Sequence, residues 1–367
     1  MRCHSSNVPA ATVKFAPMVV SIIVVFASCQ TGVACTAFML QDGQDLVAAK
    51  NYDYNFSDGF VMVNKRNVSK QAMLLGPDTA AQWTSKYGSV TFNQYGREMP
   101  IGGMNEAGLV VETLMLPASR YPEVDDRPAV MSWMQYQLDC HGTVAEVLAS
   151  DKQVRMHYAI PMPLHFFVCD RQGQAATIEF IDGRLVCHSA ATLPVEAITN
   201  STYTESTAFL RQYEGFGGNQ AIPRGVPGSL ERFACAAARV KNYKAGPSVS
   251  PIAYAFETLN QVRQGNATQW SIVYDLANLE IHYRTQKRRR TKIVKLAGLD
   301  FGCQEPVQMI GINTPRTGLL NSHLFDYDPE LNRHLVFYAI RHTLQTKFLP
   351  EAVINQLADY PETTSCK

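Results

Sequence analysis

The chain contains no Cys-x-x-Cys pair and no two histidines at the spacing of metal ligands, so no zinc site is predicted. His157, His165 and His282 stand singly among strand-like apolar residues and read as structural. Charge of one sign is also lacking. Lys and Arg number 33 against 32 Asp and Glu, a net charge of +1, which gives no reason to expect a nucleic-acid partner. Internal repeats and an obvious linker are absent too. The apolar run at 16–27 is about a dozen residues long, under 20 Å as a helix against roughly 30 Å of hydrocarbon, so no transmembrane segment is predicted.

That short run fits a leader instead. Arg2 and Lys14 give a positive start, and the small residues Gly32 and Ala34 end the segment. A signal peptide is expected over 1–34, with one large α+β domain over 35–367 and export to the periplasm or beyond. A rival cut exists at Phe26-Ala27-Ser28-Cys29, where lipidation of Cys29 would anchor the chain and leave Cys35 internal. Cleavage after Ala34 has a different consequence, because Cys35 would then hold a thiol and a free amine on one residue. An α-amino group has a pKa of about 7.7 to 8.0, low enough to serve as a general base at neutral pH. Of the other cysteines beyond the leader, Cys140, Cys169, Cys187, Cys235, Cys303 and Cys366, the favoured reading is small buried hydrophobes rather than disulfides.

Beyond the leader, strand-like runs at 35–40 and 46–50 flank an Asp42-Gly43 turn, a hairpin signal. Further strands are expected at 60–64, 89–92, 109–114, 165–169, 176–180, 184–187, 197–199, 271–274 and 280–284. Helices are expected at 130–138, after a Thr143/Glu146 capping box, and at 230–240, 251–262, 332–344 and 351–358. Strands and helices in separate groups argue stacked antiparallel layers rather than a wound βαβ sheet. The basic run 287–290 reads as a solvated hairpin tip.

A cysteine nucleophile at a strand start needs groups that hold its amine, tune its thiol and receive an oxyanion. Lys50 and Asp53 lie where the hairpin returns beside Cys35. A carboxylate there can accept from the amine, and a cation can lower the thiol pKa.

Several motifs follow in order: CTAF at 35–38, KNYD at 50–53, GMNEAGL at 103–109, ITN at 198–200, GVPG at 225–228 and Arg232-Phe233. IEFIDG at 178–183 and WSIVYD at 270–275 support them. Together they resemble the choloylglycine hydrolase family, which includes bile salt hydrolases and penicillin V acylases and belongs to the N-terminal nucleophile hydrolases. The resemblance covers 35 to about 296; the tail beyond is poorly matched. It implies a four-layer αββα sandwich and hydrolysis of a linear, non-peptide amide through an acyl-thioester, without a cofactor.

By the same resemblance, Cys35 matches the nucleophile, Asp53 the aspartate that holds its amine, Asn200 the asparagine whose side-chain N–H points at the oxyanion, and Arg232 an arginine near the nucleophile. Lys50 departs from the usual arginine and loses its planar fork of donors. Met115 stands where bile salt hydrolases often have asparagine and penicillin V acylases tyrosine; its backbone N–H remains a candidate oxyanion donor. Tyr52, Tyr54, Phe56, Leu114 and Met115, with Leu116, are candidates for an apolar acyl pocket. The expected partner is a small amide with an apolar acyl group, and whether copies of the chain associate is left open. A papain-like peptidase, a non-catalytic exported or lipid-anchored binding protein, and an acyltransferase are the alternatives.

Overall fold

The computed structural model describes residues 34–225 and 228–367, so the leader, Cys29 and the centre of the GVPG turn lie outside the described residues. Two large sheets face each other. The first runs Ala197–Ile198, β1 (Thr36–Asp42), β2 (Asp45–Asp53), Thr268–Asp275, Glu280–Thr285, Lys292–Lys295 and Gly318–Leu319. The second runs Arg184–Ser189, Ala175–Ile181, Leu164–Cys169, Val110–Met115, Pro100–Asn105, Ser89–Asn93, β3 (Phe60–Asn64), Gln308–Gly311 and Phe325–Asp326. Neighbours are antiparallel throughout except Lys292–Lys295 against Gly318–Leu319.

Local chemistry explains the pairing. Asp182 and Gly183 both have positive φ, 51° and 74°, and close a two-residue turn whose handedness matches the twist of the flanking strands. Between the sheets, aromatic residues interlock. Phe92 of the second sheet meets Trp270, Tyr274 and Tyr283 of the first at ring separations of 6.5, 6.3 and 5.4 Å.

Helices complete the sandwich. The helices α1 (Trp133–Cys140) and α2 (Val144–Ala149) cover the outer face of the second sheet, with Trp133 against Phe166 at 4.5 Å. After α3 (Tyr203–Leu210), the helices α4 (Ser229–Lys241) and α5 (Pro251–Gln261) cover the first sheet. Ala234, Ala236 and Ala237 are fully buried, and their small side chains let α4 approach β1 closely. The tail adds α6 (Pro329–His342) and α7 (Glu351–Asp359), which pack on each other through Val336, Ile340, Ile354 and Leu357. The αββα sandwich implied by the resemblance, and consistent with the layer argument, is therefore the one observed. Among the described residues no helix is long and apolar enough to cross a membrane.

Four expectations need correction. The helix at 130–138 starts at Trp133, because Val130 belongs to a short strand, Ala129–Val130, that pairs with Arg155–Met156. Helix α3 was not expected, although Thr202 and Glu205 form its capping box; a buried Ser206 interrupts its apolar stripe of Tyr203 and Leu210. Strand Pro100–Asn105 was not expected either, since Gly102 and Gly103 argue against a strand. Its reason is steric: a Cβ on Gly102 would stand 2.3 Å from a carboxylate oxygen of Glu112. Finally, Cys303 and Cys366 form a disulfide, and Cys187 is exposed rather than buried.

Candidate active site

The β1–β2 hairpin pairs Thr36 with Asn51 and Ala37 with Lys50, so side chains alternate between two environments. Lys50 and Tyr52 point between the sheets, whereas Asn51 points outward and donates to the carbonyl of Leu259 on α5. Cys35, 1% exposed, lies at the start of β1, and its Sγ is 4.0 Å from the Asp53 carbonyl.

Arg232 reaches in from α4. Its Nη1 donates to the Cys35 carbonyl at 2.7 Å and to the Thr36 hydroxyl at 2.6 Å, and its Nη2 donates to Asn200 Oδ1 at 3.0 Å. Asn200 donates from Nδ2 to the Met115 carbonyl at 2.8 Å, and its backbone N–H donates to Ser229 Oγ at 2.9 Å. This chain of bonds brings Cys35, Arg232, Asn200 and Met115 together. Asn200 therefore arrives with one amide hydrogen engaged by Met115, and no acceptor for the other among the described residues.

Asp53 differs from all of these. Its side chain is fully buried, and among the described residues neither carboxylate oxygen has a partner at hydrogen-bond distance, the Thr268 hydroxyl being the donor that lies near it. Burial raises its pKa to about 7; the nearby Thr268 hydroxyl and the Arg232, Arg263 and Lys50 cations pull it back only in part. Burial likewise pushes the Cys35 thiol up to about 11, against the lowering effects of Lys50 and Arg232. With Ala34 still joined to Cys35, the thiol is held protonated and the carboxylate lacks a counterpart.

Lys50 acts on the thiol only through its field. The ammonium lies 2.6 Å from Glu112 of the opposite sheet and donates to the Ile101 carbonyl at 2.6 Å. Tyr274 also donates to Glu112. The partnership was not foreseen, because Glu112 is on a different sheet and no local pattern links it to KNYD.

A cavity of about 160 Å³ opens on Cys35 and is almost wholly apolar in lining. Tyr52, Tyr54, Leu114 and Met115 line it as expected. Phe56 and Leu116 do not: Phe56 packs edge-on against Tyr338 of α6 at 5.2 Å. Methionines missed in the sequence, Met99, Met131, Met134, Met156 and Met162, supply much of the wall, and the tail adds Ile340, Leu349 and Leu357. Beside it, the hydroxyls of Tyr54, Tyr95 and Thr343 bond in a closed triangle of 2.8, 2.6 and 2.9 Å that fastens the end of α6 to the segment after β2. His157 and His165 are structural: His157 pairs with Asp78, and His165 with Glu179 and the Thr199 carbonyl.

Residues 35–234 match the sequence model described as linear amide C-N hydrolases, choloylglycine hydrolase family. A penicillin V acylase of Pectobacterium atrosepticum is 33% identical over 179 residues, 44% of this chain; the chain thus spans about half the length of this curated relative, 47%. The structure of penicillin V acylase from Agrobacterium tumefaciens superimposes with a TM-score of 0.69 at 26% identity, covering 80% of this chain and 98% of that one. A variant of the conjugated bile acid hydrolase from Clostridium perfringens shares the fold, with a TM-score of 0.61 at 20% identity over 77% of this chain and 98% of its own.

Proposed function

Since the chain belongs to the choloylglycine hydrolase family of linear amide C–N hydrolases, we propose that it hydrolyses N-acyl amides with Cys35 as nucleophile, once the 34–35 peptide bond has been cut. The observation that carries this reading is the buried, unpartnered carboxylate of Asp53 next to Cys35. A new α-amine at Cys35 is the donor such a carboxylate lacks, and the carboxylate would hold it beside the thiol and stabilise the ammonium formed when it takes the thiol proton.

The amine of Cys35 takes the thiol proton, and the thiolate adds to the amide carbon. The oxyanion is received by the free N–H of Asn200, which Arg232 and Met115 hold in orientation, with the Met115 backbone N–H as second donor. Collapse returns the proton from the ammonium to the leaving amine and leaves an acyl-thioester. Water, deprotonated by the same amine, then releases the acid and regenerates the thiol.

The cavity supports an uncharged, apolar acyl group. Its volume of about 160 Å³ is similar to an engineered apolar cavity of about 150 Å³ that accepts benzene, which favours a single aryl ring or a short alkyl chain over a four-ring steroid. Export belongs to the same proposal, and the Cys303–Cys366 disulfide supports an oxidising destination.

The test compares a chain beginning at Cys35 with one retaining Ala34, each assayed on conjugated bile salts, phenoxyacyl penicillins, N-acyl homoserine lactones and fatty acyl amides. Hydrolysis by the first chain alone, lost in Cys35→Ser, is expected. Equal turnover by the uncut chain would sink the mechanism, and no turnover on any amide would sink the function. Intact-mass analysis of exported material, expected to begin at Cys35, checks the cut against lipidation at Cys29.

A further inference from the structure

Three arginines surround a small hollow on the outer side of the first sheet, away from the cavity that opens on Cys35. Arg263 follows α5, Arg284 lies near the end of strand Glu280–Thr285, and Arg289 belongs to the hairpin tip after it. Thr268, Gln286 and Asn260 of α5 complete the rim. None of the three arginines has a carboxylate within ion-pair distance among the described residues. Among the described residues the one carboxylate paired with the basic run is Asp58, and it holds Lys287.

The cations are nevertheless held in place. Arg284 lies over the Phe256 ring at 3.9 Å and donates from Nε to Thr291 at 2.9 Å, so both its terminal nitrogens are left for another acceptor. Arg263 and Arg289 share one acceptor, Gln286 Oε1, which holds two like charges near each other. That proximity is costly: burial and then the Arg289 charge lower the Arg263 pKa, against a raising effect of the Asp53 charge. Fixed, unneutralised guanidinium groups facing one hollow form a ready receptor for planar or tetrahedral oxyanions. The hollow holds about 120 Å³, roughly four waters' share of liquid volume, enough for a four-oxygen anion.

We propose that this hollow is a binding site for a phosphate-type oxyanion, either the free ion or a phosphomonoester group, recognised by Arg263, Arg284 and Arg289. It stands whether or not Cys35 is the nucleophile, although Arg263 also acts on Asp53 through its charge. Thr268 lies in both neighbourhoods, since it lines the hollow and pairs with Asp53 across the sheet.

Calorimetric titration of the full chain with inorganic phosphate at constant ionic strength, with chloride as reference, tests this. Saturable binding of one phosphate per chain is expected, weakened at least tenfold in Arg284→Gln and in Arg289→Gln. Arg289 is exposed, so its variant keeps the fold, and Lys347→Gln on the tail is expected to bind as the parent does. No saturable heat, unchanged affinity in both arginine variants, or equal weakening in the Lys347 variant would overturn the proposal. Vesicles containing phosphatidic acid are the second arm. Competition between them and free phosphate supports a shared site, and vesicle binding without any response to free phosphate overturns it.

Discussion

Lys50 and Asp53 lie three residues apart on β2, both withdrawn from water, and the protein treats their charges in opposite ways. Lys50 meets Glu112 and the Ile101 carbonyl between the sheets, with Tyr274 on the far side of the carboxylate. Asp53 has no ion-pair partner among the described residues, only the Thr268 hydroxyl near its carboxylate. A buried ion pair closes on itself and joins two layers, whereas an isolated buried carboxylate is a cost the fold has no reason to carry for its own stability. On the proposed function, the second arrangement is the one left for chemistry, while the first also joins the two sheets.

Replacing Asp53 gives the sharpest break of that comparison. Asp53→Asn is expected to lower turnover of the chain that begins at Cys35 by about 10²- to 10⁴-fold, with a melting temperature equal to or above the parent's. Retained turnover, or a large loss of stability, would put Asp53 in the same class as Lys50. At the other pole, Glu112→Gln is expected to destabilise by about 3–5 kcal/mol, measured by chemical denaturation. Joint replacement, Lys50→Met with Glu112→Leu, is expected to recover most of that loss; a double variant as unstable as the single would show that the pair is more than a closed unit.

Acid titration of stability separates the two further. In the uncut chain the Asp53 carboxyl titrates near 7 when folded and near 3.9 when unfolded. The folded state then binds more protons between these values, so the group supports folding below about pH 4 and that support is lost as pH rises through 7. Denaturation midpoints of uncut chain and Asp53→Asn are expected to diverge over this window, by a few kcal/mol at most. In the cut chain the α-ammonium pulls the carboxyl down and the divergence shrinks; an unchanged divergence would remove the amine from beside Asp53.

A neutral cluster marks the middle ground. Thr343→Val opens the hydroxyl triangle with Tyr54 and Tyr95, and is expected to cost about 1 kcal/mol and to change KM more than kcat. An effect confined to kcat would move the triangle from the acyl wall to the reacting atoms.

How much of this was legible in the residues follows the same division. Cys35, Asp53, Asn200 and Arg232 stand in motifs whose local turns and strand ends recur, and the structure gathers them. The hairpin that sets Lys50 and Asp53 was readable from Asp42-Gly43 and alternation. Glu112 was not, because its pairing depends on two sheets meeting face to face, and no short pattern encodes that. The acyl wall was only half visible. Tyr52 and Tyr54 lie at the end of the hairpin that returns beside Cys35, but Met99, Met131 and Ile340 look like any core residue until the layers are stacked. Phe56 misled for the same reason: its neighbours in sequence line the cavity while its own ring turns to Tyr338.

The bond between Cys303 and Cys366 ties off a segment with a sequence separation of 63 residues that contains both α6 and α7. In the chain-entropy view, closing a loop of that size restrains the unfolded chain by about 4 kcal/mol. That loop lies outside the stretch matched by the family and still supplies Ile340, Leu349 and Leu357 to the wall that an acyl group would touch. Substitutions confined to this loop can therefore reshape one side of the cavity while leaving every residue that bonds around Cys35 in place.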